Sequence, residues 1–173
     1  MDIILEELTA GLPDARQFAR IVIRLLVAML LGGVVGIQRE WTGKPAGLRT
    51  HMLVALGAAL FVLAPEEAGM ASADLSRVIQ GLATGIGFIG GGAILKLSQE
   101  RDIRGLTSAA GIWMTAAMGV AVGLGRIGMA LLSALLTWFI LTVVGKIEHR
   151  IEHRIIAAQA ARDDGPETRV EVQ

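Results

Sequence analysis

Five stretches of mostly apolar residues, at roughly 18–37, 50–64, 78–97, 106–124 and 127–145, contain no Asp or Glu. A helix that crosses a bilayer needs about 20 such residues. Lipid leaves no backbone N–H or C=O to water, so segments of this kind must close their hydrogen bonds internally, as helices. The expected fold is therefore all-α: a polytopic membrane protein of about five transmembrane helices. Composition agrees, with 53% hydrophobic and 18% charged residues, where a soluble domain carries about a quarter charged. The second stretch is short and is expected to end at Pro65.

Three regions follow. Residues 1–17 open with MDIILEELTAGLPDAR, acidic where a signal peptide would be basic, and read as an amphipathic segment on the membrane surface. Residues 18–145 form the membrane domain. Residues 146–173 read as a cytoplasmic amphipathic helix, with Ile147, Ile151 and Ile155 repeating every four residues, and then a disordered tail.

Sixteen basic residues balance sixteen acidic ones, which removes the clustered positive charge that nucleic-acid binding needs. Cysteine is absent, which excludes disulfides, thiolate metal sites and cysteine nucleophiles. If loop 38–49 is cytoplasmic, eleven of the sixteen Lys and Arg residues fall on that side. The positive-inside rule then places the N-terminus outside and the C-terminus in the cytoplasm. Arg20 and Arg24, in or beside the first span, run against the rule. A driven cation pump usually needs a carboxylate within the membrane, and none lies in these stretches.

Glycine dominates the remaining pattern, with 22 residues. Gly32 and Gly36 form a small-xxx-small pair in the first span, Gly81/Gly85 and Gly87/Gly91 form two in the third, and Gly119/Gly123 form one in the fourth. Such pairs let helix backbones approach in lipid, and glycine-rich close packing within one subunit is the expected use. Pairing of two copies, with a homodimer favoured, and a path between helices are the alternatives. GIGFIG, from Gly85 to Gly90, matches a dinucleotide fingerprint but lacks the strand and helix start that motif requires. The run Gly90, Gly91, Gly92 invites a different thought, a broken helix offering carbonyls to an ion.

The densest polar segment is QREWTGKPAGLRTH, holding Arg39, Glu40, Lys44, Arg49, Thr50 and His51. Pro45 and Gly47 would turn it back on itself. It either anchors the chain at headgroups or is fixed by a Glu40–Arg49 ion pair beside a titratable His51. Asp74 and Arg77 are placed to pair at i,i+3 on a first helical turn, with Asp74 as an outward cation ligand the alternative. Thr107 and Ser108 are placed to cap the fourth helix or to offer hydroxyls to an ion. His149 and His153 have the spacing of two metal ligands on one helix face, but no third ligand completes a set. No cofactor is called for, and no metal site is defined.

The segments GIQREWTGKPAGLRTHMLVALGAAL, DLSRVIQGLATGIGFIGGGAILK and RGLTSAAGIWMTAAMGVAVGLG together resemble the MgtC/SapB family of bacterial membrane proteins. The resemblance covers roughly residues 25–125. It implies an inner-membrane protein of about five spans, associated with growth in low magnesium. In some members it also implies virulence through binding and restraining other membrane complexes, including ATP synthase. Mapped onto this chain, the family's polar positions are Arg39, Glu40, Arg49, Thr50, His51, Asp74, Arg77 and Thr107, with Gly85, Gly87, Gly90, Gly92 and Trp113. Longer members carry a cytoplasmic ACT-like domain, and nothing after Lys146 is long enough for one. Met114 stands where some members have Cys, and Thr107 where some have Asn.

Two functions compete at this point. The first is magnesium homeostasis by binding or regulating partner membrane proteins. The second is transport of Mg²⁺ or another small solute past Asp74, Thr107 and Ser108. The sequence offers no nucleophile–base set or phosphate loop, so an enzyme is not expected.

Overall fold

The computed structural model describes residues 14–96 and 103–147, together with 150, 151 and 154. Five long helices account for nearly all of them. Helix α1 is Ala15–Trp41, α2 Leu48–Glu67, α3 Ser72–Gly92, α4 Leu106–Gly123 and α5 Ile127–Phe139, the last continuing into a π-helical turn at Ile140–Val144. Between α3 and α4 a small antiparallel hairpin pairs β1 (Leu95–Lys96) with β2 (Ile103–Arg104), Leu95 opposite Arg104 and Lys96 opposite Ile103. The chain divides into two units, one up to Thr137 and one from Trp138.

Local chemistry sets the helix ends. Asp14 starts α1 by accepting from the Gln17 N–H at 2.6 Å, the usual side-chain cap for an orphan donor. At its other end the Lys44 N–H reaches the Arg39 carbonyl and the Gly43 N–H reaches that of Glu40, with Gly43 at φ +62°. This is a Schellman ending, which wants glycine at the left-handed position. Helix α2 passes through Pro65 to Glu67, beyond the expected stop. The proline lies in the last turn, where its fixed φ is still helical and only one backbone bond is forfeited.

Helix α3 is shifted from its expected span, starting at Ser72 and ending at Gly92. The triple glycine therefore terminates the helix and does not interrupt it. The carbonyls of Ile89, Gly90 and Gly91 accept from the N–H groups of Ala93 and Ile94, so they are not presented to an ion. Gly105 then links the hairpin to α4 at φ +100°, so close to the end of α3 that a Cβ would overlap the Ala93 carbonyl oxygen. Both constraints exclude any other residue there.

Four segments are long and apolar enough to cross a membrane: Ala15–Trp41, Leu48–Glu67, Leu106–Gly123 and Ile127–Ile147. Helix α3 has the length but is diluted by six glycines, Asp74, Arg77 and Gln80. Together the five helices make a polytopic membrane protein. Leu26, Leu30 and Val34 on α1, Phe61 on α2, Phe88 on α3 and Leu131 and Leu135 on α5 all point outward. In water such a surface would be a liability, whereas in a bilayer it is the required one.

Helix α2 is the central element of the first unit, packed along both α1 and α4, while α3 lies against α4 and only sparsely against α2. Glycine makes the close contacts. A Cβ on Gly32 would lie 2.5 Å from the His51 carbonyl oxygen, and one on Gly36 2.7 Å from the Leu48 Cα. On the other side, a Cβ on Gly119 would overlap the Ala55 carbonyl oxygen, and one on Gly123 would lie 2.8 Å from the Val62 Cβ. Where α2, α3 and α4 meet, Ala58, Ile86, Ile112 and Ala116 form a small apolar core.

Candidate functional site: a polar cluster where three helices meet

The segment QREWTGKPAGLRTH folds into the end of α1, a short turn and the start of α2, and the first turns of α4 close over it. His51 is fully buried. Its Nδ1 lies 3.0 Å from the Gly47 carbonyl oxygen, and since a carbonyl only accepts, Nδ1 carries the proton. Three glycines make room for this residue. Gly32 and Gly36 of α1 lie against its backbone and Cβ, and Gly111 of α4 faces Nε2, where an added Cβ would stand 3.4 Å away. Nε2 itself has no hydrogen-bond partner among the described residues.

Arg39 is 4% exposed. One guanidinium nitrogen, Nη2, donates to the Ser108 hydroxyl at 2.5 Å, joining α1 to α4. Its Nε is buried without a partner among the described residues. The ion pairs among those residues are Arg24–Glu66 and Arg77–Asp74, so no described carboxylate neutralises Arg39. A buried guanidinium is costly to leave uncompensated, and the Ser108 bond is its one identified anchor. Ser108, in turn, is 1% exposed. Neither it nor Thr107 caps α4: the cap is Gly105 with no side-chain bond, and Thr107 points outward.

Glu40 does not pair with Arg49. Its Oε2 accepts from the Leu48 N–H at 3.0 Å, capping α2 across the turn. A carboxylate satisfies an orphan donor there and meets the positive end of the helix dipole. The approach is so close that a Cβ on Gly47 would overlap Oε2. Arg49 and Lys44 are exposed and Thr50 is half-buried, which suits the anchoring role. At the start of α3, Arg77 donates to Asp74 at 3.4 Å, both exposed, the expected i,i+3 pair. Trp113 faces outward from α4.

Of the glycines singled out in α3, Gly81, Gly85, Gly87, Gly91 and Gly92 have nothing within 4 Å of where a Cβ would stand, and Gly90 touches only Ala109 at an ordinary 3.6 Å. Among the described residues they do not carry the close packing expected of them. Beside them an apolar cleft of about 680 Å³ opens between α2 and α3, lined by Leu53, Gly57, Phe61, Gly81, Gly85 and Phe88 among others.

Residues without any motif in the sequence hold the opposite end of the bundle. Arg24 Nη1 donates to Glu66 at 3.0 Å and to the Gly123 carbonyl at 2.8 Å, and Gln17 donates to Glu67. One arginine thus ties α1 to the ends of α2 and α4. At the other end of α1, Gln38 opens the polar segment and is buried next to Arg39 in sequence. The one signal for the Arg24 end is the misfit of that residue with the positive-inside rule. No group of three His, Asp or Glu that could hold a metal occurs among the described residues. His149 and His153, like the N-terminal segment before Asp14, lie outside those residues.

Fold and site together define a polytopic membrane protein whose helices are joined through glycine and a few buried polar bonds. A family model described as the MgtC family matches residues 25–150, and the chain belongs to that family. It is 45% identical over 133 residues to protein SrpB of Synechococcus elongatus, covering 70% of this chain and 72% of the relative. It is 38% identical over 146 residues to "Putative magnesium transporter YhiD" of Escherichia coli K12, covering 79% of this chain and 66% of the relative. It is 36% identical over 141 residues to protein MgtC of Salmonella typhimurium LT2, covering 82% of this chain. The chain spans 59% of MgtC's length. No solved structure matches the chain.

Proposed function

We propose that this bacterial membrane protein serves magnesium homeostasis in the inner membrane by binding other membrane proteins through α3. The observation that carries the reading is the bare glycine face of α3. Gly81 and Gly85 have open space where Gly32, Gly36, Gly119 and Gly123 have a neighbouring helix. In lipid, small residues at this spacing let a second helix approach. Magnesium enters from family membership, from the magnesium-transporter name that YhiD carries and from the low-magnesium association that the resemblance implies. The expected topology has the N-terminus outside and the C-terminus in the cytoplasm, and no catalysis is part of the proposal.

Because the chain has no cysteine, Ile89→Cys, one turn beyond Gly85 on α3 and exposed, introduces a single reporter that leaves the glycines intact. Under mild oxidation in native membranes it should crosslink at high yield, to a second copy or to another membrane protein, whereas Leu26→Cys on the outer face of α1 should not. Equal, low yields from both positions would sink the idea. The name of YhiD favours the competing reading, transport. In that case purified protein in liposomes should pass Mg²⁺ above empty vesicles and Asp74→Ala should slow it. Flux with an unaltered, solitary protein would replace the binding proposal.

A further inference from the structure

Helix α1 places Arg16, Arg20 and Arg24 four residues apart, which stacks them on one face. That face forms one wall of a pocket of about 500 Å³, with Ile23 beside the arginines and Gly125 and Ile127 opposite. Arg24 is already engaged, by Glu66 and the Gly123 carbonyl, and its guanidinium lies over Gly125, where a Cβ would stand 2.6 Å from Nη2. Arg16 and Arg20 have no acidic partner among the described residues, where the ion pairs are Arg24–Glu66 and Arg77–Asp74. Arg126, exposed, adjoins the pocket in sequence.

The distribution of charge makes this concentration meaningful. Basic residues are sparse at this end of the bundle, namely Arg16, Arg20, Arg24, Arg77 and Arg126. Three of those five, Arg16, Arg20 and Arg24, line one pocket, and Arg126 adjoins it in sequence. A surface that only needed solubility would scatter them. The lining is also two-sided: guanidinium groups lie along α1, while Ile23 and Ile127 supply apolar walls continuous with the outward-facing Leu26 and Leu30. A free phosphate would use only the first part, but a phosphate carrying acyl chains would use both. Arginine forks match phosphate oxygens in pairs.

We propose that this pocket is a binding site for the phosphate headgroup of an anionic phospholipid, with Arg16 and Arg20 holding the phosphate and an acyl chain passing over Ile23 and Ile127. Arg24 acts as the structural floor, kept in place by Glu66. The site is independent of the α3 face and of any role in magnesium homeostasis.

The test measures lipid binding to the purified full-length chain in detergent by native mass spectrometry, with phosphatidylglycerol, phosphatidylcholine and inorganic phosphate as probes. The wild type should retain phosphatidylglycerol over phosphatidylcholine. The double substitution Arg16→Gln/Arg20→Gln should weaken that binding roughly 10- to 30-fold, at about a kcal/mol per basic residue near an anionic surface. Arg16→Lys/Arg20→Lys should recover only part of it, because lysine keeps the charge but not the fork, and the preference should fade as salt rises. No preference in the wild type would overturn the proposal, whatever the variants do. So would a double variant that binds as tightly as wild type, or displacement of the lipid by an equal concentration of inorganic phosphate.

Discussion

The glycines of α1 and α4 and the glycines of α3 look alike in sequence and behave differently in space. Gly32, Gly36, Gly119 and Gly123 are places where a neighbouring backbone or Cβ occupies the room a side chain would take. Gly81, Gly85 and Gly87 face open space. Both sets have small-xxx-small spacing, yet among the described residues only the first joins helices. The difference teaches that the spacing specifies a helix face able to receive a partner, while the partner's identity depends on which helices α2 can reach. Helix α2 is flanked by α1 and α4, and the α3 glycines are left facing open space.

Substitutions sharpen this contrast. The largest effect is expected from Gly119→Val, which drives a branched side chain into the Ala55 carbonyl and the Ala58 Cβ, both of which a single Cβ would already crowd. Overpacking costs about 1–3 kcal/mol and occasionally more, so the variant should accumulate poorly and lose thermal stability in detergent. A Gly119→Val protein as stable as wild type would erase the contrast between the two sets of glycines.

Ser108→Ala comes next. It strips the buried Arg39 of its hydroxyl acceptor, and hydrogen bonds to charged groups contribute about 1.5–3 kcal/mol. Reduced stability should follow, read as a lower Tm by scanning fluorimetry, with less loss in Ser108→Thr. Glu40→Ala should cost about 1 kcal/mol, the usual worth of a helix N-cap, because the Leu48 N–H loses its carboxylate. Since that cap needs an acceptor more than a charge, Glu40→Gln should retain part of the stability.

The smallest effect on stability is expected from Gly85→Ala. Nothing lies within 4 Å of the new methyl, and alanine in a helix interior is favoured over glycine by about 0.5–1 kcal/mol. The chain should hold its Tm or gain slightly, while crosslinking from the Ile89→Cys reporter falls when Gly85→Ala is added to it. A destabilised Gly85→Ala protein with unchanged crosslinking would place the α3 face inside the fold after all.

Much of the architecture is legible in the sequence because lipid admits few solutions. Apolar stretches of span length must be helices, and the spans near 18–37, 106–124 and 127–145 correspond closely to α1, α4 and α5. Helix α2 outruns its expected end because a proline in a last turn is tolerated. Helix α3 is displaced because hydropathy does not register its polar first turns, from Ser72 through Arg77. The motif QREWTGKPAGLRTH is visible as a site, but its wiring is not. Adjacent residues on a helix point in different directions, so Arg39 turns inward to Ser108 while Glu40 reaches over the turn to α2. Charge alone suggests an ion pair between Glu40 and Arg49, and charge carries no direction.

By itself the sequence determined the class of protein, the number of long helices and the residues from which the polar cluster would be drawn. These follow from local composition and from the bilayer's intolerance of unpaired backbone groups. Only the tertiary structure decided which glycines are covered, which helices Arg24 ties together, and why His51 needs three glycines around it. Each of those depends on contacts between residues far apart in the chain, such as Arg39 with Ser108 and Arg24 with Glu66 and Gly123, and no local pattern encodes the distance between two helices.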